Sequence, residues 1–304
     1  MMVTILTYHG VTDGESSGIE NFQGKHMATG TFERQMRYLR GHENILKLGD
    51  VVEAYTRGRD LDGVVVTFDD GYRNSFTVAF PILEEIEIPV TFFFSTGFIG
   101  SDRMFWVDEV EFWIDRGEVE GVDLTEFGLR PYALVSREEK MEVVTEIKAF
   151  LKRVDDGARE AILGALKTQL LPLSGGEPSP NYKTLTWVEV RALAQSPLVE
   201  VGGHSVDHAI LSRVSREQLR YQVRESKRDL ERHLDREITL FAYPNGGPDD
   251  YNAEVIEVVR EEGFTCGCTT LPGRNSPSVS LFELRRSMVG FCGAPFPFPA
   301  ATGM

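Results

Sequence analysis

The hydrophobic pattern switches between two periods along most of the chain. Short β-branched or aromatic runs at 3–8, 64–68, 90–95, 198–202, 237–243, 264–269 and 283–289 read as strands, and the run at 64–68 is apolar on both faces. Between them the period is helical. Thr31 can cap a helix carrying Phe32, Met36 and Leu39 on one face. Residues 50–55 predict a short helix stopped near Gly58, and 74–86 a helix with Pro81 in its first turn or at a kink. Thr186-x-x-Glu189 opens the next helix, and Ser215-x-x-Gln218 opens one to about Leu234 with Leu219, Val223, Leu230 and Leu234 inward. Residues 253–262 predict a helix ended by Gly263. Strands alternating with helices call for a parallel sheet. Seven or eight such strands fit a (β/α) barrel, here a single domain over 1–304.

From about 100 to 182 no clear strand is expected. Ser136-x-x-Glu139 is a capping box before a helix reaching Val154, and a second helix follows over 158–170. Residues 171–180 are a Pro/Gly/Ser linker. The region reads as a helical insertion that joins strand ends, either overhanging them or packing outside. Residues 291–304 form a Pro-rich tail without periodicity, expected to lie along the surface.

Composition changes this picture little. A hydrophobic content of 41% is ordinary, and a net charge of −15 argues against a nucleic-acid partner or an anionic membrane surface. Cys266, Cys268 and Cys292 form no framework; Cys266 and Cys268 alternate onto one side of a strand, where packing is expected over soft-metal binding. The first residues lack a basic and then apolar leader, and no apolar run is long enough to span a bilayer. The expectation is a soluble cytoplasmic protein, with its oligomeric state open.

The chemistry gathers at strand ends. Asp69 and Asp70 close the strand 64–68, just before Gly71. Two like charges at a buried strand end require a cation or a proton, unless the stretch is only a solvated Asp-Gly turn. His204 and His208 follow strand 198–202, four apart, so that one helical turn would place both on one side. Asp70, His204 and His208 make a three-ligand set for a zinc-like ion with a coordination position left open, as catalytic sites require. Asp69 is then free to take a proton from water, or serves as a further ligand or an orienting partner. His9, Asp69, Asp70, His204, Tyr243 and Arg286 all fall at or near C-terminal strand ends, where barrels keep their sites.

These stretches resemble the polysaccharide deacetylase family (nodulation-deacetylase homology, carbohydrate esterase family 4). Thr67-Phe68-Asp69-Asp70-Gly71 and His204-Ser205-x-x-His208 resemble its first two motifs. Phe241-Ala242-Tyr243-Pro244-Asn245-Gly246 looks like the third motif in a bacterial variant group, and Tyr8-His9-Gly10-Val11 like that group's N-terminal signature. Leu185-Thr186-Trp187 is similar to the approach to the histidine motif. The resemblance spans about residues 3 to 290.

It implies a distorted (β/α)7 barrel that removes an N-acetyl or other N-acyl group from an amino sugar of a glycan or glycoconjugate. It implies a divalent ion on Asp70, His204 and His208, zinc first, with Co2+, Ni2+ or Mn2+ as alternatives. Asp69 is the implied base. The Tyr243 backbone N–H is the implied oxyanion donor, with Pro244 and Gly246 setting the loop shape and Pro244 and Asn245 expected to contact the substrate. Ala242 stands where the main family carries a base-tethering arginine, and Arg286 resembles the variant group's replacement, with Arg285 as the alternative. No histidine follows His233, so the family's late proton-donating histidine is absent; His9 is the substitute, or an orienting or core residue. Tyr72 and Trp106 either stack on a sugar or belong to the core. Rival readings are a related amidohydrolase on a non-sugar amide, and a barrel that binds sugar without turnover.

Overall fold

The computed structural model describes residues 1–14, 17–174 and 177–290. The tail 291–304, Cys292 with it, lies outside the described residues. The chain forms two compact units, one of Met1–Asp13, Gln23–Asp102 and Lys183 onward, the other of Gly14–Phe22 and Arg103–Tyr182. The second unit holds most of the region read as an insertion, together with residues 14–22.

In the first unit, β1 (Val3–Tyr8), β2 (Gly63–Phe68), β3 (Val90–Phe94), β4 (Val199–Gly203), β5 (Leu240–Phe241) and β6 (Ser287–Met288) form one parallel sheet in the order β6-β1-β2-β3-β4-β5. Single parallel bridges from Ala242 to Cys268 and from Cys268 to Leu284 continue the curl past β5. Leu284 belongs to the segment that reaches β6, so seven segments close a ring. The last three are shorter than the pattern predicts, because there single bridges replace full ladders. A distorted seven-membered β/α barrel is the result.

The two-residue period of a strand sorts its side chains. Leu6, Tyr8, Val64, Val66, Phe68, Val90 and Phe92 pack outward in one cluster with Phe32, Met36, Leu83, Val190, Val223 and Val258 from the surrounding helices. Val3, Ile5, Val65, Phe93, Leu240, Ala242, Cys266, Cys268 and Leu284 fill the inside. Each valine, leucine, isoleucine or phenylalanine fully buried there contributes about 1.5–3 kcal/mol. Cys266 and Cys268 are therefore interior packing, as expected. Gly202 pairs with Phe93, and a Cβ there would stand 2.5 Å from the Phe93 ring, so only glycine admits the phenylalanine to the barrel.

Other differences from expectation are local. The first helix is Thr29–His42, with Ala28 rather than Thr31 at its cap. The segment after Asn74 is a π-helical turn, Ser75–Ala79, followed by an α-helix, Phe80–Glu85. Pro81 sits in the first turn with no N–H to give, and the Phe80 N–H reaches back to the Ser75 carbonyl.

The second unit packs helices Trp106–Arg116, Arg137–Leu151 and Asp156–Leu170 around Val110, Ile114, Val144, Ile147, Leu166 and Leu170. The Ser136 capping box forms in full. An antiparallel pair, Gly121–Asp123 with Pro131–Ala133, was not expected; three residues are too few to show a period. Glu111 is buried there, with Lys148 Nζ at 3.1 Å and bonds from Tyr182 Oη at 3.0 Å and the Asn21 N–H at 2.9 Å. No helix among the described residues is long and apolar enough to cross a membrane.

Candidate active site

The parity of the barrel strands delivers the site. Val65, Thr67 and Asp69 follow one another on the inner side of β2 and its exit, and Glu200, Gly202 and His204 do so on β4. Asp70 would point outward if the strand continued. It instead adopts φ +73°, a left-handed turn that aspartate tolerates better than most residues, and Gly71 follows at φ +97°. The turn swings the Asp70 carboxylate back toward the histidines.

Asp70 Oδ1 lies 3.4 Å from Nε2 of His204 and 3.2 Å from Nε2 of His208. One ligand atom from each of the three residues lies within 4.8 Å of the others, and all three residues are buried. His204 Nδ1 is 2.7 Å from the Ala242 carbonyl. A carbonyl only accepts, so Nδ1 carries the proton and the Nε2 lone pair of the neutral ring points at Asp70. Electron-rich atoms this close need a proton or a cation between them. The oxygen and nitrogen donors suit a zinc-type ion. Burial raises the Asp70 carboxyl, but the two imidazoles and His9 outweigh it and hold it well below the usual carboxylate range.

The spacing of four does not produce a helical turn here. Ser205 and His208 have φ +63° and +52°, and the rings meet at 5.0 Å through an irregular loop. The helix expected from the spacing is corrected to a strained turn.

Asp69 is gripped by Arg286. Nη1 donates to Oδ1 at 2.7 Å and Nη2 to Oδ2 at 2.6 Å, and Arg286 is fully buried. Arg286 Nε donates to the Thr269 carbonyl at 2.8 Å and Nη1 to Thr67 Oγ1 at 3.3 Å. Burial pushes the Asp69 carboxyl up; the Arg286 guanidinium, bonded to both its oxygens, outweighs it and holds the group ionised below its ordinary range. Arg285 is not the partner: its Nη1 donates to the Pro272 carbonyl at 3.4 Å.

His9 ends β1. Burial lowers its pKa, with Asp70 and Asp69 pulling it back up and Lys25 and Arg286 pressing it down, so the ring is neutral at neutral pH. Beside it stands a group the sequence did not reveal. His26 is buried with Nδ1 3.0 Å from Asn74 Nδ2, and Lys25 Nζ donates to Tyr72 Oη at 2.8 Å. Burial, then Lys25 and His9, hold His26 well below its ordinary value. Neither Lys25 nor His26 belongs to a periodic run, and a lone histidine carries no sequence signal.

Three expectations are corrected. The Tyr243 N–H donates to the Cys268 carbonyl at 3.0 Å and is spent in closing the barrel, not aimed at a substrate oxygen. Tyr72 is fully buried against His26, and its ring offers no face to a sugar. Trp106 is 8% exposed within the core of the second unit. Pro244 is buried and Asn245 half-buried; Asn245 takes φ +59°, and its Nδ2 is buried with no hydrogen-bond partner among the described residues.

The chain resembles known proteins in sequence and in fold. The Bacillus subtilis protein YxkH is 27% identical over 114 residues, which are 37% of this chain and 39% of that protein. The Streptococcus pyogenes deacetylase PplD, solved in complex with acetate, superposes with a TM-score of 0.63 at 18% identity, over 96% of this chain and 94% of that one. IcaB from Ammonifex degensii gives 0.60 at 19% identity, over 95% and 91%. At these identities the structural likeness is one of fold. The sequence pattern of polysaccharide deacetylases matches residues 57–267, which contain Asp69, Asp70, His204, His208 and Tyr243 but neither His9 nor Arg286. The chain belongs to the polysaccharide deacetylase family.

Proposed function

We propose that this chain is a metal-dependent hydrolase that removes an N-acetyl or related N-acyl group from an amino sugar of a glycan or glycoconjugate. The observation that carries the reading is the pairing of a three-ligand cluster, Asp70, His204 and His208, with a separate carboxylate, Asp69, held ionised beside it.

Asp70, His204 and His208 would hold the ion. A divalent ion bound there supplies Lewis acidity, polarising the amide carbonyl and acidifying water. Zinc suits the donor set best. Asp69 accepts the proton of the attacking water. Arg286 takes one lone pair from each Asp69 oxygen, leaving the other lone pair of each oxygen to the reaction. The proton must then reach the leaving nitrogen. His9 enters as a neutral imidazole, suited to relay the Asp69 proton, accepting on one nitrogen and donating from the other. The developing oxyanion needs a donor, and Asn245, with its buried Nδ2, replaces Tyr243 in that role. Thr67 and Thr269 keep Arg286 in place.

The test is metal content together with acetate release from N-acetylglucosamine oligomers. Bound metal with acetate is the expected outcome. Metal without acetate moves the substrate to a non-sugar amide. Neither leaves a sugar-binding barrel.

A further inference from the structure

The five-residue loop His204–His208 carries two of the three ligands, yet two of its residues, Ser205 and His208, sit at positive φ. Such backbone persists only where its surroundings over-determine it. On one side the chain after β3 does this. The His204 N–H donates to the Phe94 carbonyl at 3.0 Å, Ser95 Oγ to the His204 carbonyl at 2.9 Å, the Thr96 N–H to the Ser205 carbonyl at 3.2 Å and the Gly97 N–H to the Val206 carbonyl at 2.9 Å.

On the other side stands a side chain of a neighbouring helix. Gln222, from the helix Arg216–Leu234, is 7% exposed. Its Oε1 accepts from the Val206 N–H at 3.0 Å and the Asp207 N–H at 2.8 Å. Its Nε2 donates to Asp207 Oδ2 at 2.8 Å. Asp229, two turns further along the same face of that helix, accepts from Thr96 Oγ1 at 3.3 Å, so the same helix also touches the segment on the far side.

We propose that Gln222 is a positioning residue for the metal site: it fixes the strained loop so that His204 and His208 present their Nε2 atoms to Asp70 together. The inference rests on the metal reading given above. Gln222 touches neither substrate nor ion; it acts through the backbone of Val206 and Asp207. An amide is required because one end must accept two N–H groups while the other donates to a carboxylate. Outer partners of this kind typically change metal affinity 10–100-fold.

The test is Zn2+ affinity, by competition with a chromogenic chelator, and the visible spectrum of the Co2+-loaded protein. Gln222→Met should weaken Zn2+ binding about 10–100-fold and alter the Co2+ bands. Gln222→Glu should do the same, since a second carboxylate would face Asp207. The double change Gln222→Glu with Asp207→Asn exchanges donor and acceptor, restores all three bonds, and should recover the affinity to within about threefold. A merely structural contact would not show that recovery. If the unaltered chain binds Zn2+ and both single variants bind it equally well, the role of Gln222 is overturned while the metal site stands. Failure of the folded double variant to regain affinity also overturns it. If the unaltered chain binds no Zn2+, the metal reading falls, and this inference with it.

Discussion

Arg286 and Asp69 stand 217 positions apart in sequence and meet through two parallel bonds of 2.7 and 2.6 Å, both side chains buried. This fork-to-fork contact fixes the plane of the Asp69 carboxylate as well as its charge. It also gives Asp69, the proposed base, a tether from outside the segment that matches the family pattern.

Arg286→Lys keeps the charge but loses the fork. Turnover should fall at least about tenfold, while Arg286→Met, which leaves Asp69 buried without its partner, should cost about 3–5 kcal/mol in urea unfolding. Full activity in Arg286→Lys would show that the tether does not serve the reaction.

Asp69→Asn should keep its metal and lose about 10²–10⁴ in rate. His204→Ala or His208→Ala should lose the metal itself, read by elemental analysis after dialysis. Metal loss in Asp69→Asn would make Asp69 a ligand instead of a base.

The Asp69 carboxyl titrates below its ordinary range in the folded chain. The unfolded chain, near pH 3.9, therefore binds this proton first as the pH drops. The stability Asp69 contributes is present above that value and is lost as the pH falls through the folded one. Urea midpoints measured from pH 6 downward should show this loss, and Asp69→Asn should lack that share of it.

Burial holds the His9 ring below its ordinary value. As a relay it should impose no fall in rate as the pH rises toward the ordinary imidazole value of about 6.5, and His9→Ala should cost several-fold up to about a thousandfold. A descending limb below that value, abolished by His9→Gln, would make His9 a charged donor and end the relay.

Asn245 sits at φ +59°. Asn245→Gly accepts that conformation and removes only the side-chain amide. The rate should fall about 10²–10³-fold, as for a lost oxyanion donor, with metal content unchanged. An unaltered rate would move the donor away from this side chain.

Much of the site was legible because strand parity and motif spacing are local properties. Asp69, Asp70, His204 and His208 could be placed at strand ends from short runs alone, and Arg286 from its resemblance to the arginine the variant group carries near its C-terminus. What escaped depends on contacts distant in sequence. That Tyr243 spends its N–H on Cys268, that Gln222 reaches the loop at 206–207, and that His26 and Lys25 stand beside His9 follow only once the barrel is closed. Tyr72 and Trp106 were open between core and surface, since an aromatic residue has the same sequence signature in either place. The barrel's late strands were overestimated because β-branched runs report burial, not the number of ladder bonds.

The ring of strands is stitched at Cys268 by one bridge on each side, and Arg286 hangs from the segment just beyond that seam. Amide protons at such a place should exchange ahead of those in the fully laddered strands. Each brief parting of the seam would free Asp69 from its guanidinium while the rest of the barrel stayed closed. Heat or mild denaturant should therefore silence the protein before its far-ultraviolet dichroism begins to change.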